Sequence, residues 1–365
     1  MSTELTGGVL VTGGFGLVGS ATVRRLAELG RRVVATDLDT PANRKAAQKL
    51  PSGVEFRWAD LTDPEQVHRL VSDVAPDVIV HLAAIIAPAI YPIPKVARRV
   101  NVDATACLVR VAEGQNKPPR FVHASSITVM GPRNPHRTTP PLKAEDPMRP
   151  YDVYSGQKSE GEEIVRGSTL DWVVLRLGAV VGPDLGALPV SADMAYLQSV
   201  VPSDGRVQIV DVRDVAWAFA AATTADVGRE ILLIGGDDSH RLTYAEVTSD
   251  LVTALGLPGA MPRGRAGDPN SDDDWFVTDW MDTTRAQEAL QFQNHSWPDL
   301  KAELSKKYRL LRYPGPLIAP LVRVVMARRS PYRNAPGQYA DPWGKIRAKL
   351  GEPLWDRPRG VLPTA

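Results

Sequence analysis

Residues 12–19 read Thr-Gly-Gly-Phe-Gly-Leu-Val-Gly, and they sit between a short apolar run, Val9-Leu10-Val11, and a stretch with helical periodicity that begins at Leu17. Apolar residues recur at Leu17, Val18, Ala21, Val23, Leu26 and Leu29, the spacing of one helix face. Gly30 then suits a helix C-terminus, and Arg32-Val33-Val34-Ala35-Thr36 reads as a second buried strand ending at Asp37. Strand, glycine turn, helix and strand within about 30 residues make one βαβ unit. Gly13, Gly16 and Gly19 let the chain turn sharply, bring backbone close to a pyrophosphate and seat the helix on the strand. The helix N-terminus then presents free N–H groups and a positive dipole end to the phosphates. A carboxylate at Asp37 accepts hydrogen bonds from both adenosine ribose hydroxyls and repels a 2′-phosphate, which favours NAD over NADP.

The alternation continues along the chain. Strands are expected at 54–58, 77–82, 120–124, 171–176, 207–212 and 230–234, and helices open at Asp63-Pro64-Glu65 and cover 96–113, 150–166, 214–224 and 243–255. The 243–255 helix opens with Thr243 followed by Glu246, a capping-box spacing. Strands buried on both faces and separated by helices indicate an α/β fold, a Rossmann-type doubly wound parallel sheet. The expected organisation is a cofactor-binding domain over 1–182 plus about 205–236, a smaller substrate-binding lobe over 183–204 and 237–305, and a basic, amphipathic, proline-rich C-terminal extension over 306–365.

Tyr154-Ser155-Gly156-Gln157-Lys158 sets a phenol and an ammonium four residues apart, neighbours on a helix. A nearby ammonium, and an oxidised nicotinamide above it, stabilise a phenolate and lower the phenol's pKa from its usual value near 10, giving a proton acceptor near neutral pH. Ser125 and Ser126 end an apolar strand, at the carboxyl edge where open α/β sheets bind ligands.

Together these residues resemble the extended short-chain dehydrogenase/reductases, the NAD-dependent epimerase/dehydratase family, over about residues 7–236. The resemblance rests on TGGFGLVG, Asp60-Leu61-Thr62, His81-Leu82-Ala83-Ala84, Asn101-Val102-Asp103-Ala104-Thr105, Ser125 to Gly131, Arg176 to Pro183 and Val210 to Ala216. It departs from the family pattern at Ala104, where glycine is usual, and at Met130, where tyrosine is usual. It implies catalytic roles for Ser126, Tyr154 and Lys158, and cofactor contacts from Gly13, Phe15, Gly16, Leu17, Gly19, Asp37, Asp60, Leu61, Leu82, Ala83, Ala84, Asn101, Tyr154 and Lys158. The implied reaction moves a hydride between a secondary alcohol or ketone and the nicotinamide, with Tyr154 as acid and base. Two alternatives stay open: a nucleotide-sugar epimerase or dehydratase that retains NAD, and an NAD-binding regulatory protein without catalysis. Ala179 stands where sugar-nucleotide enzymes of the family carry asparagine, which weighs against the first alternative. The family also implies a homodimer through the 96–113 and 151–166 helices.

Composition narrows the partners. With 43 Lys plus Arg against 42 Asp plus Glu, the net charge is +1, which argues against nucleic acid. One cysteine, Cys107, permits no intrachain disulfide, and the histidines lack metal-ligand spacing. No apolar stretch reaches the length of a membrane span, and the first residues lack a secretion-signal core, so a cytoplasmic protein acting on a small molecule is expected. The charge balance is global only. Residues 304–340 hold eight Lys or Arg and no acid, while 266–284 hold six Asp and no base. The two segments are expected to pair with each other, within a subunit or across an interface. Within the first, Leu317, Leu321, Val324 and Val325 have helical spacing and are expected to cover their own protein or a partner subunit, in preference to a membrane.

Overall fold

The structure, a computed structural model, describes residues 8–183 and 192–356. The N-terminal stretch 1–7, residues 184–191 of the expected lobe and residues 357–365 of the extension lie outside the described residues. The first half alternates strictly: β1 (Val9–Thr12), α1 (Leu17–Glu28), β2 (Val33–Asp37), α2 (Pro41–Ala47), β3 (Glu55–Trp58), α3 (Pro64–Val74) and β4 (Val78–His81). Then come α4 (Pro94–Arg98), α5 (Ala104–Glu113), β5 (Arg120–Ser126), α6 (Val153–Arg166) and β6 (Trp172–Leu177). The helix expected over 96–113 is interrupted by a π-helical turn at Arg99–Asp103.

Seven parallel strands form the main sheet in the order β3-β2-β1-β4-β5-β6-β9, with β9 at Glu230–Ile234. The runs of Val, Leu and Ile in these strands are continuous because both faces are covered. Val9, Val11, Val78, Val80 and Val122 pack on one face with Val23 and Leu26 of α1 and with Val215 and Phe219 of α8 (Val212–Ala222). Leu10, Ile79 and Phe121 pack on the other with Val67, Leu70, Leu108, Val109 and Val165 of α3, α5 and α6. Strand order reverses between β1 and β4, so the crevice for a ligand opens at their carboxyl ends.

The chain leaves this sheet at Gly178, where a Cβ would sit 2.6 Å from the Gln208 carbonyl oxygen. β7 (Ala179–Val181) pairs in parallel with β8 (Arg206–Asp211), and β10 (Arg241–Thr243) pairs antiparallel with β8, giving a separate three-stranded sheet. The segment 205–236 is therefore divided: β8 lies in the small sheet, and α8 and β9 lie with the large one. α9 (Tyr244–Ala254) opens with the capping box of Thr243 and Glu246 and packs on the small sheet with α11 (Trp297–Lys307), through Leu251, Ala254, Trp297, Leu300 and Leu304. Between them, α10 (Thr284–Leu290) returns to the main core through Ala286 and Leu290.

The C-terminal region is helical, where the prolines suggested an extended wrap or a mobile tail. α12 (Gly315–Arg329) and α13 (Pro342–Leu350) each take proline in the first turn, where the missing N–H costs no helical bond. Trp343, Ile346 and Leu350 of α13 join Tyr332 in an apolar cluster with Ile90, Tyr91, Val153 and, from α7 (Ala192–Val200), Leu197 and Val200. The two segments meet through the Ala340 N–H, which donates to the Ala266 carbonyl at 2.8 Å, and through Val277, which shares an apolar cluster with Tyr332 and Ala340, but the acids pair elsewhere: Asp272 with Arg137, and Asp279 with Arg133 and Arg206. Asp273 and Asp274 sit in a loop whose Asp273 carbonyl accepts from the Trp343 indole.

Candidate active site

Three elements meet at the carboxyl edge of the main sheet. β5 ends in Ser125 and Ser126, whose side chains alternate across the strand. Ser125 Oγ donates to Glu162 at 2.5 Å, and Glu162 in turn receives two bonds from Arg176, at 2.9 and 2.8 Å. All three are buried. Ser126 points the other way and is hydrogen-bonded to the Tyr154 phenol. The alternation thus assigns Ser125 to a structural ion-pair cluster and Ser126 to the reaction edge. Met130 is buried with its sulfur 3.2 Å from an Arg176 nitrogen.

α6 presents Tyr154 and Lys158 one turn apart. Its N-terminus is fixed by a capping box between Asp152 and Ser155, and the second oxygen of Asp152 accepts from the Tyr91 hydroxyl at 2.9 Å. Lys158 Nζ donates to the Ala124 carbonyl at 2.8 Å, and burial lowers its pKa to about 8. The lowering expected for Tyr154 depends on an oxidised nicotinamide beside it; in the protein alone the phenol is held well above 10. Desolvation dominates, the Ser126 bond opposes it, and the nearby Asp152 charge adds to it. In this structure the Lys158 ammonium is engaged with the Ala124 carbonyl.

The glycine turn has the form the sequence implies. Gly13 takes φ +65°, and a Cβ there would lie 2.8 Å from the Ala83 nitrogen. A Cβ on Gly19 would overlap the Gly13 carbonyl oxygen. Gly16 is exposed and caps α1 without a side-chain bond, and the first turn of α1 carries no acid, so its free N–H groups face open space. Phe15 is buried against Trp58, with ring centroids 5.1 Å apart, and Leu17 begins α1 beside it.

Asp37 ends β2 and accepts from the Leu38 N–H at 2.8 Å, with further bonds from the Phe15 N–H and the Asn43 side chain; burial nonetheless raises its pKa. Arg44, the nearby cation a 2′-phosphate would need, is committed to Asp39 by two bonds of 2.5 and 2.7 Å. Asp60 holds its own loop by accepting from Thr62, and Leu61 is buried. Leu82, Ala83 and Ala84 leave β4 toward the crevice, the first two fixed by N–H bonds to Thr12 Oγ1. Asn101 exchanges two bonds with the Ile85 peptide and donates to Gln157. It shapes the loop after β4 and ties it to α6. These free amides, the glycine cradle and the carboxylate at the end of β2 fit a dinucleotide without a 2′-phosphate.

Some participants carry no sequence signal of their own. Asp152 and Glu162 are common residues whose roles depend on partners far along the chain, and Arg176, though part of a family motif, gives no sign in the sequence that it pairs with Glu162. The C-terminal contacts are less legible still. Trp355 N–H donates to the Tyr151 carbonyl, Val153 N–H donates to the Pro353 carbonyl, and the Trp355 ring lies on Gly156, the one α6 position in reach without a side chain. Among the described residues, no three His, Cys, Asp or Glu are grouped to hold a metal ion.

The family model for the NAD dependent epimerase/dehydratase family matches residues 9–235. The chain is 31% identical over 175 residues to methionine adenosyltransferase 2 subunit beta of Bos taurus, covering 48% of this chain and 47% of that one. It spans about half the length of the first curated relatives it matches. It is 30% identical over 266 residues to 2'-dehydrokanamycin reductase of Streptomyces kanamyceticus, covering 68% of this chain and 67% of the other. The fold is similar to that of Thermus thermophilus UDP-glucose 4-epimerase in complex with NAD, with TM-score 0.67 and 23% identity over 82% of this chain and 98% of that one.

Proposed function

Given that the chain belongs to the NAD-dependent epimerase/dehydratase family, the extended short-chain dehydrogenase/reductases, we propose that it is an NAD-using enzyme of the epimerase/dehydratase type acting on a nucleotide sugar. The observation that carries the reading is that Ser126, at the end of β5, and Tyr154 and Lys158 of α6 lie at the carboxyl edge of the same parallel sheet whose first turn, after β1, is the glycine turn. Solved proteins of similar fold bind NAD together with UDP-sugars, which supports this substrate class over a simple alcohol.

Gly13, Gly16 and Gly19 and the first turn of α1 would hold the pyrophosphate, and Asp37 the adenosine ribose. NAD, when bound, accepts a hydride from a sugar carbon and can return it. Tyr154 Oη takes the proton of the hydroxyl on that carbon and gives it back in the reverse step. Ser126 Oγ orients the reacting oxygen. Lys158, moved off the Ala124 carbonyl toward Tyr154 and the nicotinamide ribose, supplies the positive charge that offsets the burial now holding the phenol protonated.

The test incubates the protein with NAD and a panel of UDP- and dTDP-sugars, following products by chromatography and NADH by absorbance. Sugar conversion without accumulated NADH is expected. Tyr154→Phe should lower turnover by about 10²–10⁴-fold with NAD binding retained; equal activity in that variant would sink the assignment.

A second reading has its own support. Ala179 supplies no polar side chain toward a nucleotide, and a relative matching 68% of this chain is named 2'-dehydrokanamycin reductase. Under that reading the same three residues carry net reduction of a ketone. Stoichiometric consumption of NADH with a ketosugar lacking a nucleotide would select it.

A further inference from the structure

α12 is oriented contrary to a helix that covers its own protein. Its buried residues are the small ones, Gly315 and Ala319. Gly315 is pressed against the peptide of Gly256, just past the end of α9, where no Cβ would fit. Leu317, Leu321, Val324 and Val325 share one face by their spacing and are exposed, Leu317 by 83% and Leu321 by 67%. Ile318 adjoins them, and Leu310 and Tyr313, exposed by 77% and 83%, extend the apolar surface ahead of the helix. The expectation that this stripe is covered within the subunit is therefore not met.

What covers it is indicated by charge. Lys306, Lys307 and Arg309 precede the apolar surface, Arg323 lies within the helix, and Arg328 and Arg329 end it, in a segment with eight cations and no acid. A second copy docked on this face, parallel or antiparallel, would set one cationic end against another. An anionic lipid surface meets the cations at both ends of the stripe, Lys306 and Arg309 before it and Arg328 and Arg329 after it, with their complement and the apolar side chains with acyl chains. Fifteen residues of helix are about 22 Å long, short of the roughly 30 Å hydrocarbon core, and no helix among the described residues is long and apolar enough to cross a membrane. The helix therefore lies along the surface. We propose that α12 and the preceding Leu310 and Tyr313 form a peripheral docking surface for anionic membranes, anchored to the protein by the close contact of Gly315 with Gly256.

Flotation of the full chain with vesicles of phosphatidylglycerol and phosphatidylcholine, and with phosphatidylcholine alone, tests this. Co-flotation is expected with the anionic vesicles, reduced about tenfold in their neutral counterparts and in high salt. The variant L317E/L321E alters two exposed side chains, so its thermal unfolding should match the wild type while flotation is lost. R328E/R329E should weaken flotation on anionic vesicles only. Failure of the wild type to float, or flotation unchanged in L317E/L321E, overturns the proposal. A dimer in sedimentation that L317E/L321E dissociates also overturns it, in favour of a second copy.

Discussion

His81 and His123 show how single side chains in this fold are tuned by what surrounds them. They stack at 5.6 Å between β4 and β5, both fully buried. Desolvation lowers His81 to about 3, with the Lys158 charge adding to it, and lowers His123 well below its usual 6.5 from the same causes. His81 is satisfied by Thr12 and Thr105, at 2.7 and 2.9 Å, whereas neither ring nitrogen of His123 has a partner. Below pH 6.5 the unfolded chain binds protons that these folded side chains refuse, so each subtracts stability as pH falls, and neither matters above it. The slope is up to about 1.4 kcal/mol per pH unit for each histidine. Urea denaturation from pH 7 to 5 should show His123→Leu gaining on the wild type as pH falls; a constant gap between the two would contradict a buried neutral His123. Gly19 is a second case at this scale. Gly19→Ala would drive a methyl into the Gly13 carbonyl and displace the turn, so NAD affinity, read by tryptophan fluorescence or calorimetry, should fall at least tenfold.

At the scale of elements, α6 depends on how its N-terminus is held. Asp152 caps the helix with one oxygen and accepts from Tyr91 with the other. Asp152→Ala loses a cap of about 1 kcal/mol and strands a buried hydroxyl at about 1–3 kcal/mol more. Asp152→Asn keeps the capping oxygen and should cost less than half as much. Chemical denaturation of both variants gives the comparison, and equal losses would mean that the capping oxygen Asp152→Asn retains contributes nothing. Most of these elements were legible from periodicity: β1 to β6 and β9, and α1, α3, α5, α6 and α8, follow from apolar runs, caps and glycines, whereas α2 and α7 were not expected. The π turn at Arg99–Asp103 was not, because the residues on both sides keep helical spacing. Nor was the placement of β8, since an apolar strand carries no mark of which sheet it joins.

Over the whole molecule, the C-terminal region closes the structure around the site. Residues 330–355 bring Tyr332, Trp343, Ile346 and Leu350 to Ile90, Tyr91 and Leu197, and Trp355 to Gly156 on the helix of Tyr154. Each buried aromatic or large aliphatic removed costs about 2–5 kcal/mol. A chain ending at Arg329 should therefore unfold at least 10 °C lower by calorimetry and lose turnover out of proportion to NAD binding, which rests on the other edge of the crevice. Retention of wild-type stability would show that this region is an appendage. The glycine turn, the alternation of strands and helices, and the Tyr154–Lys158 pair were legible in the sequence alone, because local backbone sterics and i to i+4 spacing mark them, while the choice of Ser126 over Ser125 rested on the family resemblance. The tertiary structure decided the rest. It separated Ser125 from Ser126, committed Arg44 to Asp39, turned the Lys158 ammonium to Ala124, took Pro316, Pro320 and Pro342 into helices and left the apolar side of α12 facing out. Each of these depends on a partner distant in the chain, and pair energies between distant residues leave no periodic trace in the sequence.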